Sequence, residues 1–184
     1  DIRGFTAMSE HADPDQLVSE LNDYLGAMTD AIHSCGGTID KFMGDGIMAI
    51  FGAPLDQPDH ADRACEAAAA MLAALDSCNA QRTQAGRPAF RIGVGIATGT
   101  AVVGSIGSQR RLDYTAIGDC VNLASRIERE TERLGTPIVV SGDTAAAVTR
   151  TQLTARGSVT VRGRAQSTEL FAVADADTSV ERAA

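Results

Sequence analysis

The segment Ile39-Asp-Lys-Phe-Met-Gly-Asp-Gly-Ile-Met-Ala-Ile-Phe51 constrains this chain more than any other. It reads as one short strand, a Met43-Gly-Asp-Gly46 turn and a second strand of apolar residues. Gly44 and Gly46 supply turn conformations that a Cβ closes off. Lys41 and Asp45 fall on either side of that turn. Two such charges have no packing reason to sit in a core hairpin. A carboxylate held at a loop tip on a rigid support is therefore a candidate functional group.

The rest of the chain is compatible with one soluble α/β domain. Its 184 residues are enough to bury a core, and 44% hydrophobic with 22% charged residues is ordinary for a globular enzyme. No apolar run approaches the roughly 18 residues that suggest a membrane span, so no membrane contact is expected from this domain. With 24 acidic against 16 basic residues the net charge is −8, which argues against a nucleic-acid polymer as partner. Cys35, Cys65, Cys78 and Cys120 are widely spaced without a C-x-x-C pair, as expected of reduced thiols in a cytoplasmic setting. The opening Asp1-Ile-Arg-Gly-Phe-Thr6 reads as a strand end and the turn after it, so the first part of that strand is expected upstream of Asp1.

Asp13-Pro-Asp-Gln16 has the form of a helix cap. Leu17, Leu21, Tyr24, Leu25, Met28 and Ile32 then recur at helical spacing, until Gly36-Gly37 ends the element. An Ala-rich helix is expected over 60–79, with a connector to Pro88. A strand over 90–97 carries glycines that would admit another backbone closely. Strand and turn follow over 98–108, a further apolar run over 112–118, a helix over 119–134 closed by Gly135, and a strand over 137–141. A short helix near 143–149 and strands near 159–161 and 170–173 complete the order. The polar residues 175–184 read as a flexible tail.

Asp1 and Asp45 have the hard oxygen chemistry that suits a divalent cation sharing its shell with water and phosphates. Taken alone, they read more readily as solvated turn aspartates. Gly4-Phe5-Thr6 adds a turn whose backbone N–H groups could cradle phosphate. Asn122 and Arg126, four apart on a helix, project from one face and suit anion stabilisation, although a surface arginine beside a turn-bonding asparagine fits equally well. A Lys41–Asp45 ion pair across the hairpin is the plainest account of those two charges.

Three segments in order, D-I-R-G-F-T, K-F-M-G-D-G and Y-T-A-I-G-D-C-V-N-L-A-S-R, resemble the catalytic domain of class III nucleotide cyclases, a likeness running over residues 1–174. The resemblance implies a ferredoxin-like α/β fold with a palm-type sheet and flanking helices, working as a homodimer with active sites at the interface. It implies Asp1, Asp45 and the Ile2 carbonyl as ligands for two divalent cations, Mg²⁺ or Mn²⁺. Lys41 and Thr115 match the purine-selecting pair, Asn122 and Arg126 the transition-state pair, and Arg162, with Arg164 as alternate, the basic phosphate-binding residue.

The implied reaction is attack of the ribose 3′-hydroxyl on the α-phosphorus of ATP, which expels pyrophosphate and yields cyclic AMP. Adenine offers an acceptor at N1 and a donor at its 6-amino group, matching a lysine donor and a threonine hydroxyl acceptor, while guanine inverts both. Thr115 replaces the aspartate of many relatives, and a hydroxyl can donate as well as accept. A guanylate or dual-specificity cyclase, and a degenerate nucleotide-binding or dimerisation module, are the competing readings.

Overall fold

The structure is a computed structural model and describes residues 1–10, 12–160 and 167–174. After a short helix α1 (Phe5–Ser9), Asp13 caps α2 (Pro14–Ser34), its carboxylate accepting the Gln16 N–H at 3.0 Å while Pro14 fills a position that needs no donor. The expected stripe faces the core: Tyr24, Met28 and Ile32 are buried, with Leu21 and Leu25 packed against them. β1 (Thr38–Met43) and β2 (Gly46–Ile50) form the hairpin, with Gly44 in the left-handed conformation at φ 71°.

Helix α3 (His60–Gln84) runs on past the expected end near 79. Its last turn is held from outside. Arg82 donates to the Pro88 carbonyl, lies over the Phe90 ring and pairs with Glu20, whose carboxylate also takes Arg87. Propensity over the alanines cannot show contacts of that kind.

β3 (Val94–Ile96), β4 (Val102–Ser108), β5 (Arg111–Ile117), α4 (Asp119–Leu134), β6 (Ile138–Ser141), α5 (Gly142–Ala147), β7 (Leu153–Thr160) and β8 (Ser167–Val173) follow. The main sheet has the order β3-β6-β8-β7, parallel between β3 and β6 and antiparallel elsewhere. β4 and β5 pair as a second hairpin. Residues 1–3 run antiparallel to residues 91–93, with the Arg3 N–H on the Arg91 carbonyl at 2.7 Å and the Gly93 N–H on the Asp1 carbonyl at 3.0 Å. The mixed α/β class is as expected, but β3 and β7 differ most in extent, and β8 starts at Ser167 rather than near 170. Of 90–97 only Val94–Ile96 lies in the main ladder. β7 begins at Leu153 rather than near 159, because the irregularity between Ala155 and Gly157, with Gly157 at φ 98°, breaks the period-2 alternation that would have disclosed it.

Both faces of the main sheet are covered, so every residue of β6 is buried. Ile138 and Val140 face the layer containing Cys65 and Ala68 of α3, whereas Val139 faces Leu123 and Ile127 of α4. Burial pushes the Cys65 thiol up to about 12, in keeping with an inert core thiol. All four cysteines are free. Gly95 pairs with Val139 on the α4 side, and a Cβ there would lie 2.2 Å from the Ala124 carbonyl oxygen and 2.4 Å from the Glu128 nitrogen. The expected close approach of a second backbone is thus that of α4, and it sets how deeply the helix bearing Asn122 and Arg126 sits.

Candidate active site

The short antiparallel pairing of residues 1–3 places Asp1 and Asp45 together. Because the Asp1 carbonyl and the Arg3 N–H serve residues 91–93, the N–H and carbonyl of Ile2 are turned the other way. On that side the Ile2 N–H donates to Asp45 Oδ2 at 3.2 Å. The Asp1 carboxylate reaches the same turn, with Oδ2 only 2.9 Å from where a Cβ on Gly46 would stand. A side chain at position 46 would fill the space the carboxylate occupies. Two carboxylates meet at the hairpin tip and the Ile2 carbonyl is turned to the same side of the strand, an all-oxygen set suited to Mg²⁺ or Mn²⁺. Among the described residues no cluster of three or more His, Cys, Asp or Glu side chains forms a metal-binding group, so any cation here depends on the two aspartates, the carbonyl, water and substrate.

Lys41 and Thr115 also meet, through a residue the sequence reading did not single out. Thr115 Oγ1 donates to Asp40 Oδ2 at 2.6 Å, and the Ala116 N–H donates to the same oxygen at 3.1 Å. The other carboxylate oxygen faces Lys41 Nζ at 3.2 Å. The Asp40 side chain is fully buried and that of Lys41 is 42% exposed. Lys41 thus pairs with Asp40 rather than across the hairpin with Asp45, the plainer alternative account of those two charges. Asp40 is also where the hairpin register shifts, since Ile39 faces Ala49 and Lys41 faces Met48. The signal available beforehand was a third charge in an apolar strand.

Asn122 and Arg126 are exposed on α4, opposite the buried Leu123, Ile127 and Thr131, so they share a solvent-facing side as the spacing implies. Gly4 is left-handed at φ 70° and precedes α1, placing the Phe5 and Thr6 N–H groups in that helix's unbonded first turn. Arg162 and Arg164 lie outside the described residues.

A cleft of about 320 Å³ adjoins Asp1, lined also by Ile2, Arg3 and Gly4 and by Ser125, Glu128, Arg129 and Glu132 of α4. Burial pushes the Glu128 carboxyl above the ordinary range, with Asp45 adding to the effect and Arg129 and Arg3 opposing it. Lys41, Thr115, Asn122 and Arg126 do not line this cleft.

The family model for the adenylate and guanylate cyclase catalytic domain matches residues 1–174. Adenylate cyclase 1 of Rhizobium meliloti is 37% identical over 174 residues, 94% of this chain and 26% of the relative. An adenylate cyclase of Anabaena cylindrica is 44% identical over 145 residues, 77% of this chain and 28% of the relative. The chain thus spans about a quarter of the length of these curated relatives. Among solved structures, the guanylyl cyclase Cya2 superposes with TM-score 0.88 at 42% identity, covering 95% of this chain and 88% of that one. The adenylyl cyclase CyaB of P. aeruginosa superposes with TM-score 0.83 at 36% identity, covering 95% and 90%. Three motifs in register, the aspartates of the first two gathered at one hairpin tip, and a match over nearly the whole chain agree that this chain belongs to the family of adenylate and guanylate cyclase catalytic domains.

Proposed function

We propose that this domain is an adenylate cyclase that converts ATP to 3′,5′-cyclic AMP and pyrophosphate at the interface of a cytoplasmic homodimer. The observation that carries the reading is the Lys41–Asp40–Thr115 cluster, which offers a cationic donor beside a hydroxyl, the pattern adenine requires. The named adenylate cyclase relatives support it. Membership of the cyclase catalytic-domain family supports a dimer, in which one protomer's Asp1 and Asp45 face its partner's purine-selecting and transition-state pairs. Phe42 and Met43 on the first hairpin, with Val102, Leu112, Tyr114 and Ile117 on the second, are large apolar residues left exposed and suit such an interface. No helix among the described residues is long and apolar enough to cross a membrane.

In this mechanism Lys41 and Thr115 read the base and the N–H groups of Phe5 and Thr6 receive phosphate, with Arg162 or Arg164 as further cationic support. Asn122 holds the ribose so that its 3′-hydroxyl lies in line with the α-phosphorus. Arg126 offsets charge growing on the phosphoryl oxygens, a contribution realised mainly in the transition state. Asp1, Asp45 and the Ile2 carbonyl would hold two Mg²⁺ or Mn²⁺ ions, which when bound lower the 3′-hydroxyl pKa and neutralise phosphate charge.

The high identity to a guanylyl cyclase favours one second reading, guanylate specificity. Assaying the purified chain with ATP and with GTP, under Mg²⁺ and under Mn²⁺, separates the two. Cyclic AMP is the expected main product, and a predominance of cyclic GMP would reject the assignment. Mixing Lys41→Ala with Asp45→Ala protein should restore part of the activity that each lacks. No recovery in demonstrated heterodimers would refute the shared sites.

A further inference from the structure

Resting on the reading of Lys41 and Thr115 as the base-contacting pair, we propose that Asp40 is the positioning residue that fixes adenine selectivity by making the Thr115 hydroxyl a one-way acceptor. A threonine hydroxyl has one proton and two lone pairs, so by itself it can satisfy either the 6-amino donor of adenine or the 6-oxo acceptor of guanine. An ionised carboxylate can only accept. At 2.6 Å from Asp40 Oδ2, the Thr115 proton is committed to that oxygen, and only lone pairs remain for a ligand. The 6-amino group of adenine meets an acceptor there. The 6-oxo group of guanine meets the same lone pairs with no proton between them.

Three further features indicate that this arrangement is held rather than incidental. The Asp40 side chain has no exposed surface, and the Ala116 N–H pins Oδ2 from the residue next to Thr115. Its other oxygen is buried and outside hydrogen-bonding geometry, satisfied only by the charge of Lys41 at 3.2 Å. Finally, Asp40 occupies the register shift of β1, a local irregularity of the kind that re-aims a side chain. One carboxylate thereby orients both members of the pair, with opposite consequences: it takes the proton from Thr115 and leaves Lys41 as the donor.

The two arms respond differently to substitution. In Asp40→Ala the Thr115 hydroxyl regains its freedom to rotate and Lys41 loses its partner. In Asp40→Asn the amide oxygen takes the place of Oδ2, because both the Thr115 hydroxyl and the Ala116 N–H donate there. The amide NH₂ then faces Lys41, a donor against a donor. Asp40→Asn should therefore keep the polarity of Thr115 while misplacing Lys41.

The test compares kcat/KM of the full chain for ATP, GTP and purine riboside triphosphate, which retains N1 but lacks the 6-amino group. Thr115→Ala should lower the ATP to purine riboside preference by about tenfold, the scale of one well-placed hydrogen bond. Asp40→Ala should lower it less, because a freed hydroxyl still accepts from the 6-amino group, but should raise use of GTP relative to ATP by about tenfold, an increase that shrinks once Thr115 is alanine because that part of it acts through the hydroxyl. Asp40→Asn should hold the preference near that of the wild type while kcat/KM for ATP falls. Relative use of GTP unchanged in Asp40→Ala, with the purine riboside preference lowered in Thr115→Ala, overturns the role of Asp40 alone. No change in Thr115→Ala removes the base-contacting reading and this proposal with it. Should Asp40→Ala fail to fold, Asp40→Asn still decides: a lost preference, or an unaltered kcat/KM for ATP, refutes the mechanism.

Discussion

The seating of α4 on the sheet can be tested by one methyl group. In Gly95→Ala the new Cβ would stand 2.2 Å from the Ala124 carbonyl oxygen and 2.4 Å from the Glu128 nitrogen. Both are backbone atoms, so no rotamer change relieves the overlap. Restoring ordinary contact requires α4 to move by roughly 1 Å, which overpacking of this kind makes worth about 2 kcal/mol. For a domain of this size that lowers Tm by about 4–8 °C. Asn122 and Arg126 lie one turn apart on the same helix and move with it, and a displacement of roughly 1 Å in a positioning group can cost about 100-fold in rate. The assay pairs thermal unfolding with steady-state kinetics at a temperature well below the variant's Tm, so that loss of fold and loss of geometry are read separately. A Gly95→Ala protein with wild-type Tm and wild-type kcat would show that α4 is not clamped where the contacts put it.

Arg126→Ala should lower kcat by about 10²–10³-fold with little change in KM, because the guanidinium is assigned to charge that develops in the transition state; a loss confined to KM would move it to ground-state binding. Asp62 accepts from the Thr149 N–H, the Thr149 hydroxyl and the Arg150 and Thr151 N–H groups. Asp62→Ala orphans these donors and should cost about 2–4 kcal/mol, read by urea unfolding. Burial raises the Asp62 carboxyl, but the Arg150, Thr149 and Thr151 donors outweigh it and hold it below the ordinary range. Its contribution to stability is therefore complete above the unfolded carboxyl pKa of about 3.9 and disappears as pH falls through the lower folded value. Asp62→Asn should flatten that acid limb, and a wild-type pH profile in this variant would count against the assignment.

The fold was legible wherever local chemistry and tertiary demand coincide. Asp13, Pro14 and the apolar stripe define the start of α2, and Gly135, left-handed at φ 66°, ends α4 where expected. Sequence falls short where distant groups decide. The last turn of α3 depends on Glu20, Pro88 and Phe90, and β3 is short because its neighbouring residues 91–93 pair with residues 1–3 instead. No window of residues around either element contains that information.

The same distinction explains why Asp40, the partner of Lys41, is not legible in the sequence. In a regular strand consecutive side chains point to opposite faces, so Asp40 and Lys41 should have been kept apart by the alternation of the pleat. Lys41 and Asp45, at the two ends of the turn, then remain as the natural couple. A register shift at Asp40 removes that premise: with one extra residue in β1, adjacent side chains can serve one side, and carboxylate and ammonium meet at 3.2 Å. Asp45 is thereby released from charge pairing and takes the Ile2 N–H beside Asp1. The bulge thus separates the hairpin's two duties, leaving Lys41 and Thr115 gathered on Asp40 at the strand and the two carboxylates at the tip. Straightening β1 by deleting Asp40, its extra residue, would remove the carboxylate that gathers Lys41 and Thr115, and the preference for ATP should fall.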